Sequence, residues 1–376
     1  MKYVFLIAAF NSFFFSALLV QKKPKALPDK ILFFWLLYLG LFTSLYTFST
    51  HEFLARINNL SSFIVSLFLL HGPFLYLYVE SFTPGKNRPA LRDLLHFVPF
   101  ISFFLYLIIS LLFPEYSGRL RMDHVDRDVN PSAVFVIFLL VTAISGPVYF
   151  YVSLRKVRNI SKNILNHYST TEEINLNWLK SLIFIFGIIW SALVSIAMIH
   201  HIFHYFSMVF CTDGLFLSLS FFIILVGYFG LRQKEIFTRF SMDNQAPAYD
   251  QRVKYQNIPI NESEIQEYME RIRNIMELKK PHLDPDLTLP ALATITGLPS
   301  YQLSRVINEK FGCNFFDFIN GYRVNEVKTR LNDPAFNNFS LLGIAFECGF
   351  NSKSAFNRIF KKITGLTPSE YKKSVR

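Results

Sequence analysis

Residues 341–373 read LLGIAFECGFNSKSAFNRIFKKITGLTPSEYKK, and the reading of the C-terminal third of the chain turns on this stretch. It parses as a short helix, a tight turn, a basic helix and a closing cap. Gly349 marks the turn, where a helix-turn-helix places a residue that tolerates positive φ. Ala345, four residues earlier, is small enough to let two helices cross closely. Phe356 and Ile359 supply apolar points on the second helix, and Lys353, Asn357, Arg358, Lys361 and Lys362 occupy its other faces. A helix with an apolar stripe and an exposed basic, amide-rich face suits the major groove of DNA.

The same pattern occurs once before. Ala293, Gly297, Ser300, Leu303, Arg305 and Gly312 parallel Ala345, Gly349, Ser352, Phe356, Arg358 and Gly365. The offset is 52 residues up to the serine and 53 after it, so one insertion separates the copies. The two units span about 287–312 and 340–365. Two copies, joined by one long helix and closed by Gly365-Leu366-Thr367-Pro368-Ser369-Glu370-Tyr371, resemble the DNA-binding domain of AraC/XylS-type transcription regulators over residues 264–376. The resemblance implies that residues early in each recognition helix meet base edges. These are Tyr301, Gln302, Ser304 and Arg305 in the first unit, and Lys353, Ser354, Asn357 and Arg358 in the second. Arginine can contact guanine O6/N7 and asparagine adenine N6/N7, both bidentately. Ser300 and Ser352, at the helix starts, suit phosphate. Lys361, Lys362 and Arg323 are expected to be phosphate-directed or structural. Two bundles fixed by one helix should enter successive major grooves on one face of double-stranded DNA.

The chain has 376 residues, 52% hydrophobic and 17% aromatic, with 43 Phe and only 17% charged residues. That is too apolar for an ordinary soluble domain and points to a membrane protein. The formal charge is +11. Residues 287–376 carry 12 basic against 6 acidic side chains, the footprint of a phosphate-binding unit. The three cysteines, Cys211, Cys313 and Cys348, have neither disulfide nor zinc-finger spacing, and Cys348 reads as core. No nucleotide-binding loop or catalytic triad is visible. An enzyme is therefore not expected, nor is a cofactor.

Seven apolar stretches precede the basic domain, at about 3–20, 31–49, 60–80, 94–113, 133–153, 181–204 and 214–231. Each approaches the length of about 20 residues that a spanning helix needs. The first lacks a small-residue cleavage site and is kept as a span rather than a signal peptide. Loop charges orient the set. The 21–30 loop holds Lys22, Lys23, Lys25 and Lys30; the 81–93 loop holds Lys86, Arg88 and Arg92; the 154–178 loop holds Arg155, Lys156, Arg158 and Lys162. The alternate loops carry Arg56 alone, nothing basic in 205–213, or arginines offset by acids in 114–132. The basic set is expected in the cytoplasm, with the N-terminus outside and the C-terminus inside. The fold class expected is all-α: a seven-helix transmembrane bundle (1–231), a linker (232–261) and a cytoplasmic tandem helix-turn-helix domain (262–376).

Few ionisable groups lie in the spans, which argues against a pump or proton-coupled carrier. His71-Gly72-Pro73 and Ser145-Gly146-Pro147 form a repeated motif whose prolines should kink the third and fifth spans. It reads either as a hinge beside a ligand cavity or as packing with an aromatic belt, and the second reading is preferred. His200 and His204 share a helix face at i, i+4 and are weak metal candidates with no third ligand set by the sequence. His51-Glu52 lacks the second histidine of a zincin. In the inner loop, Ser169-Thr170-Thr171-Glu172-Glu173 looks like the capped start of a helix leading to Trp178. That segment can touch a cytoplasmic partner or simply anchor at the interface, and anchoring is the preferred reading.

The linker, polar from about Ser241 to Asn261, reaches about 25 Å on average and at most about 70 Å, so the DNA unit would work near the membrane. Ile265, Tyr268, Met269, Ile272, Ile275 and Met276 give 264–278 an amphipathic helical spacing, with dimerisation through this helix or the spans as a hypothesis. In 314–331 the apolar stripe changes face, from Phe315, Phe318, Ile319 and Tyr322 to Val324, Val327 and Leu331, as a bridge between two bundles requires. Together these features predict a membrane-embedded one-component transcription regulator in a bacterial inner membrane. Its partners would be double-stranded DNA, the lipid bilayer, RNA polymerase, a second copy of itself and an unknown small-molecule or membrane signal. The alternative is a membrane transporter or receptor with a regulatory DNA-binding or adaptor tail.

Overall fold

The computed structural model describes residues 2–23, 25–49, 63–64, 66–83, 86–113, 133–170, 176–203, 208–232 and 261–374. Among these residues the chain is helical, with one isolated β-bridge, between Tyr168 and Thr288. Two compact units form: Met1–Arg158 with Leu176–Arg239, and Asn159–Asn175 with Phe240–Arg376.

The first unit holds the apolar helices. They are α1 (Lys2–Gln21), α2 (Leu27–Ser49), α3 (His71–Glu80), α4 (Val98–Leu112), α5 (Ala133–Leu165), α6 (Asn177–Phe203) and α7 (Met208–Arg232). Among the described residues, six helical stretches are long and apolar enough to cross a membrane: Lys2–Gln21, Leu27–Phe48, Leu91–Ser110, Val136–Leu165, Asn177–Ile196 and Asp213–Leu231. The third stretch is shorter in its described part, Leu67–Glu80. It begins as a 3-10 turn, Leu67–Leu70, and becomes α-helical at His71. Pro73 therefore falls in the first turn of α3, directly after the 3-10 turn, a position that tolerates proline. The break comes just before the proline, whereas α5 runs unbroken through Pro147. The glycines of the two motifs serve packing. A Cβ at Gly72 would strike the Tyr149 ring, and one at Gly146 the Trp190 indole. Small residues that seat a neighbour's ring are a usual device of helix packing in lipid.

The centre of this unit is aromatic. Trp35 is fully buried, with ring centroids 5.7 Å from Tyr78 and 5.8 Å from Phe222. Buried Glu80, at the end of α3, ion-pairs with Lys86 (3.1 Å) and Lys156 (2.6 Å), tying two of the basic loops together. Of the candidate metal ligands, His200 lies in α6 with no described side chain, and His204 lies outside the described residues, as do His51 and Glu52.

The second unit contains two helical bundles on one connecting helix. The first bundle comprises α8 (Glu262–Leu278), α9 (Leu289–Thr296) and α10 (Ser300–Glu309). Its core joins Ile272, Met276, Leu289, Leu292, Leu303, Val306 and Ile307 to Phe315, Phe318 and Ile319. The amphipathic stripe of α8 is thus spent inside its own chain and is not a free dimerisation seam. The connecting helix, α11 (Phe315–Asn332), is capped by Asn314, whose side-chain oxygen accepts from Asp317 N–H at 2.8 Å. Its later residues Val324, Val327 and Leu331 enter a second core with α12 (Leu341–Glu347), α13 (Lys353–Thr364) and, through Tyr371, α14 (Pro368–Ser374). The expected change of face is there, and Phe316 joins the second core one residue after Phe315 joins the first.

The junction between the bundles is tight at Gly349. Its φ is +85°, and a Cβ there would collide with the His282 carbonyl oxygen and stand 3.0 Å from that of Leu283. Gly297, its counterpart in the first unit, has φ +66° and open space around it. Gly297→Ala should cost only the left-handed backbone penalty, about 1–2 kcal/mol. Gly349→Ala adds a collision with backbone and should cost the C-terminal unit about 3 kcal/mol or more. Thermal unfolding of the two variants, followed by protease resistance of the C-terminal unit, separates them. Equal losses would contradict the packing described.

His282 is buried at the same junction, with both ring nitrogens unpaired among the described residues. Burial lowers its pKa from 6.5 to about 4, against the opposing influence of Glu326. The unfolded chain takes up this proton near pH 6.5, the folded unit only near pH 4. The unfolded state therefore binds more protons between those values, and stability falls as pH drops through that window. Unfolding measured at pH 7.5 and 5.5 should show this loss, and His282→Leu should flatten it. An unchanged slope in the variant would exclude His282 as its source.

Candidate nucleic-acid interface

The two helix-turn-helix units are built from the same local bonds. Thr288 caps α9 by accepting from Ala291 N–H (3.3 Å), with Pro290 in the first turn. Ser340 caps α12 by accepting from Gly343 N–H (2.9 Å). Each first helix ends in a left-handed glycine, after which Leu298 N–H donates to Ala293 O and Phe350 N–H to Ala345 O, both at 3.1 Å. This is the Schellman pairing of a helix C-terminus, with the following apolar residue turned into the core. Ala293 and Ala345 are both buried where the helices cross.

The turns differ by one residue. Two residues separate Gly297 from α10, and three separate Gly349 from α13. The insertion thus lies within the turn, ahead of the serines, not after them. Ser300 is the first residue of α10, whereas Ser352 is the N-cap of α13 and accepts from Ala355 N–H (3.1 Å). The two serines are not equivalent positions, and an offset of 53 holds through both recognition helices. The buried sets agree with it: Leu303, Val306 and Ile307 match Phe356, Ile359 and Phe360. On that register Ser304 pairs with Asn357 and Arg305 with Arg358.

The stripes leave the opposite faces open. In α13, Lys353, Ser354, Asn357, Arg358, Lys361 and Lys362 are exposed. In α10, Ser300, Tyr301, Gln302, Ser304 and Arg305 are half-buried. Arg305 Nε lies 3.1 Å from both carboxylate oxygens of Glu309, one turn on. A pair at such an exposed helical position contributes about 0.3–0.5 kcal/mol, so it orients the guanidinium and yields readily to a nucleic acid. Ser304 is engaged by Asn308, whose amide donates to its carbonyl at 2.7 Å. Lys362 is exposed, and its Nζ donates to Asp317 Oδ1 (2.7 Å), which links α13 to α11. Arg323 is structural: it is 1% exposed, and Nε donates to His282 O (2.8 Å) and Nη2 to Asp284 O (2.7 Å). Cys348 is fully buried, and burial pushes its thiol up to about 12, which leaves it an inert core residue.

One group of residues on this unit was not foreseen as part of it. His167, Tyr168, Ser169 and Thr170 pack against the start of α9 and against α11. Ser169 Oγ donates to Leu287 O at 2.7 Å; Thr171, Glu172 and Glu173, the rest of the expected helix start, lie outside the described residues.

A helix-turn-helix domain family model matches residues 292–374. An uncharacterized HTH-type transcriptional regulator of Staphylococcus aureus (strain COL) is 28% identical over 103 residues, 27% of this chain and 13% of that protein. The corresponding regulator of strain MSSA476 matches to the same extent. A probable transcription factor, PqrA, of Proteus vulgaris is 27% identical over 88 residues, 23% of this chain and 70% of that protein. The chain thus spans about one-eighth of the length of the staphylococcal relatives. No solved structure matches. With two units of equal register on one connecting helix, the C-terminal segment of this chain is an AraC-type helix-turn-helix domain of the transcription regulators.

Proposed function

We propose that this protein is a one-component transcription regulator embedded in a bacterial inner membrane, which reads specific double-stranded DNA through α10 and α13. The carrying observation is the pair of recognition helices in one register, each with its apolar stripe inward and polar residues on the other side. Lys353, Ser354, Asn357 and Arg358 are the second unit's base-facing set. Ser300, Tyr301, Gln302, Ser304 and Arg305 are the first unit's. Lys361 and the start of α13 at Ser352 meet phosphate. Seven spans, with the N-terminus outside, hold the reader at the cytoplasmic face, in keeping with Lys and Arg in the 21–30, 81–93 and 154–178 loops. The six long apolar helices and the shorter Leu67–Glu80 stretch support this reading. With the α8 stripe occupied, self-association falls to the spans. RNA polymerase is the partner that a DNA-bound regulator addresses. The signal enters at the membrane unit and acts through differential affinity for two states.

Arg305→Ala with Arg358→Ala tests the reading. Each bidentate arginine–guanine contact discriminates by about 1–3 kcal/mol, so the double variant should lose most sequence preference. Full-length protein in lipid nanodiscs, titrated with duplexes selected from a random pool, should bind these more weakly and with a shallower salt slope. Its level in the membrane fraction should stay unchanged. Wild-type affinity in the double variant would sink the assignment of these side chains.

A further inference from the structure

Residues 159–165 are the last turns of α5 and 166–170 follow it in sequence, yet they pack as part of the DNA-binding unit. Leu165 rests on the second bundle's core. Tyr168 then bridges Thr288 as an antiparallel pair, with Leu289 N–H donating to His167 O (2.9 Å) and Ser169 N–H to Leu287 O (3.3 Å). Ser169, 1% exposed, is the centre of the contact. Its carbonyl accepts from Asn320 Nδ2 (3.0 Å) and Arg323 Nη1 (3.2 Å), and its hydroxyl accepts from Arg323 Nη2 (3.0 Å). Thr170 Oγ1 donates to Pro285 O (2.7 Å). Ser169 and Thr170 also line a cavity of about 10 Å³ with Phe316, Asn351 and Arg358.

This short peptide therefore meets two parts at once, the entry to the first helix-turn-helix and the connecting helix, and it shares a cavity with Asn351 and Arg358 of the second unit. Its withdrawal would take two acceptors from a buried guanidinium and one from a buried amide, a costly loss. The helix joining the two readers would be left to repack. Two weak readers act as one tight binder only while their spacing matches the two grooves.

We propose that residues 166–170 form a seat that holds the two helix-turn-helix units in the orientation needed to read two grooves, and that the membrane unit controls DNA reading by engaging or withdrawing this seat. The proposal rests on the DNA-binding reading above and specifies its regulation. The route is short. Helix α5 continues into residues 159–165, and from Thr170 to Leu176 the chain extends at most about 20 Å. A shift of α5 would thus be passed to the residues that lead directly into Ser169.

Two full-length variants in nanodiscs test it, with duplexes that the wild-type chain selects from a random 40-base-pair pool. Ser169→Pro removes the Ser169 N–H and hydroxyl bonds. It should bind the selected duplex at least tenfold more weakly, while a duplex truncated to one half-site binds within twofold of wild type. Tyr168 and Thr288 form the non-hydrogen-bonded kind of antiparallel pair, whose Cα atoms stand close enough for a disulfide. In a Tyr168→Cys, Ser169→Pro, Thr288→Cys chain, the reduced form should be weak and oxidation should restore affinity, whatever the proline costs in folding. Wild-type affinity in Ser169→Pro, or no recovery on oxidation, overturns the seat. Selection of no sequence by the wild-type chain overturns instead the DNA-binding reading beneath it.

Discussion

The guanidinium of Arg323 sits 1% exposed between two helical bundles, and the C-terminal unit is arranged around keeping it there. Taking a charge out of water costs several kcal/mol even after relaxation. Burial draws this arginine down to about 10, while Asp284 and Asp286 act to raise it, so it stays charged at neutral pH. What offsets the cost is a ring of main-chain oxygens, those of His282, Asp284 and Ser169, at 2.8, 2.7 and 3.2 Å. Two segments distant in sequence are thereby pinned to the middle of α11: the turn after α8, through Arg323, and the peptide at Ser169, through Arg323 and Asn320. Gly349 closes the same site from the second bundle, its backbone packed on the His282 carbonyl. Both bundles pack on α11, and this buried charge stands at the junction between them.

Much of this was readable from residue order because it follows from local periodicity. The stripe of 3.6-residue spacing located α10 and α13, the glycines located the turns, and the shift from Phe318 and Ile319 to Val324 and Val327 exposed the bridging helix. The offset of 53 through the recognition helices holds, and only the pairing of the two serines differs, for a physical reason. Serine serves equally well at an N-cap and in a first turn, so matching Ser300 to Ser352 put the insertion on the wrong side of them. The buried residues decide the register, since Leu303 and Phe356 must both reach a core. Lys362 was ambiguous in sequence because nothing local announces that Asp317, 45 residues away, stands within 2.7 Å.

The peptide at Ser169 was illegible for a different reason. Most of its bonds use main-chain N–H and C=O groups, which every residue provides, and they join positions more than 100 residues apart. No side-chain pattern marks such a contact. The one hint was polarity in the wrong place, a serine and threonine run between two apolar helices, and it fitted an ordinary helix cap just as well.

The same geometry revises how tethering works. Judged from the linker alone, the reader could range by up to about 70 Å from the last span. Ser169 is held under Arg323 within the same unit as the recognition helices, and the chain joins that unit to the apolar helices through α5 as well as through the 232–261 linker. A signal from the apolar helices therefore has a second covalent path to the reader, through the end of α5 and the residues that follow it. The bonds of those residues are to the connecting helix rather than to either recognition helix. Control at this point would act on the spacing of the readers and leave the base-facing side chains as they are.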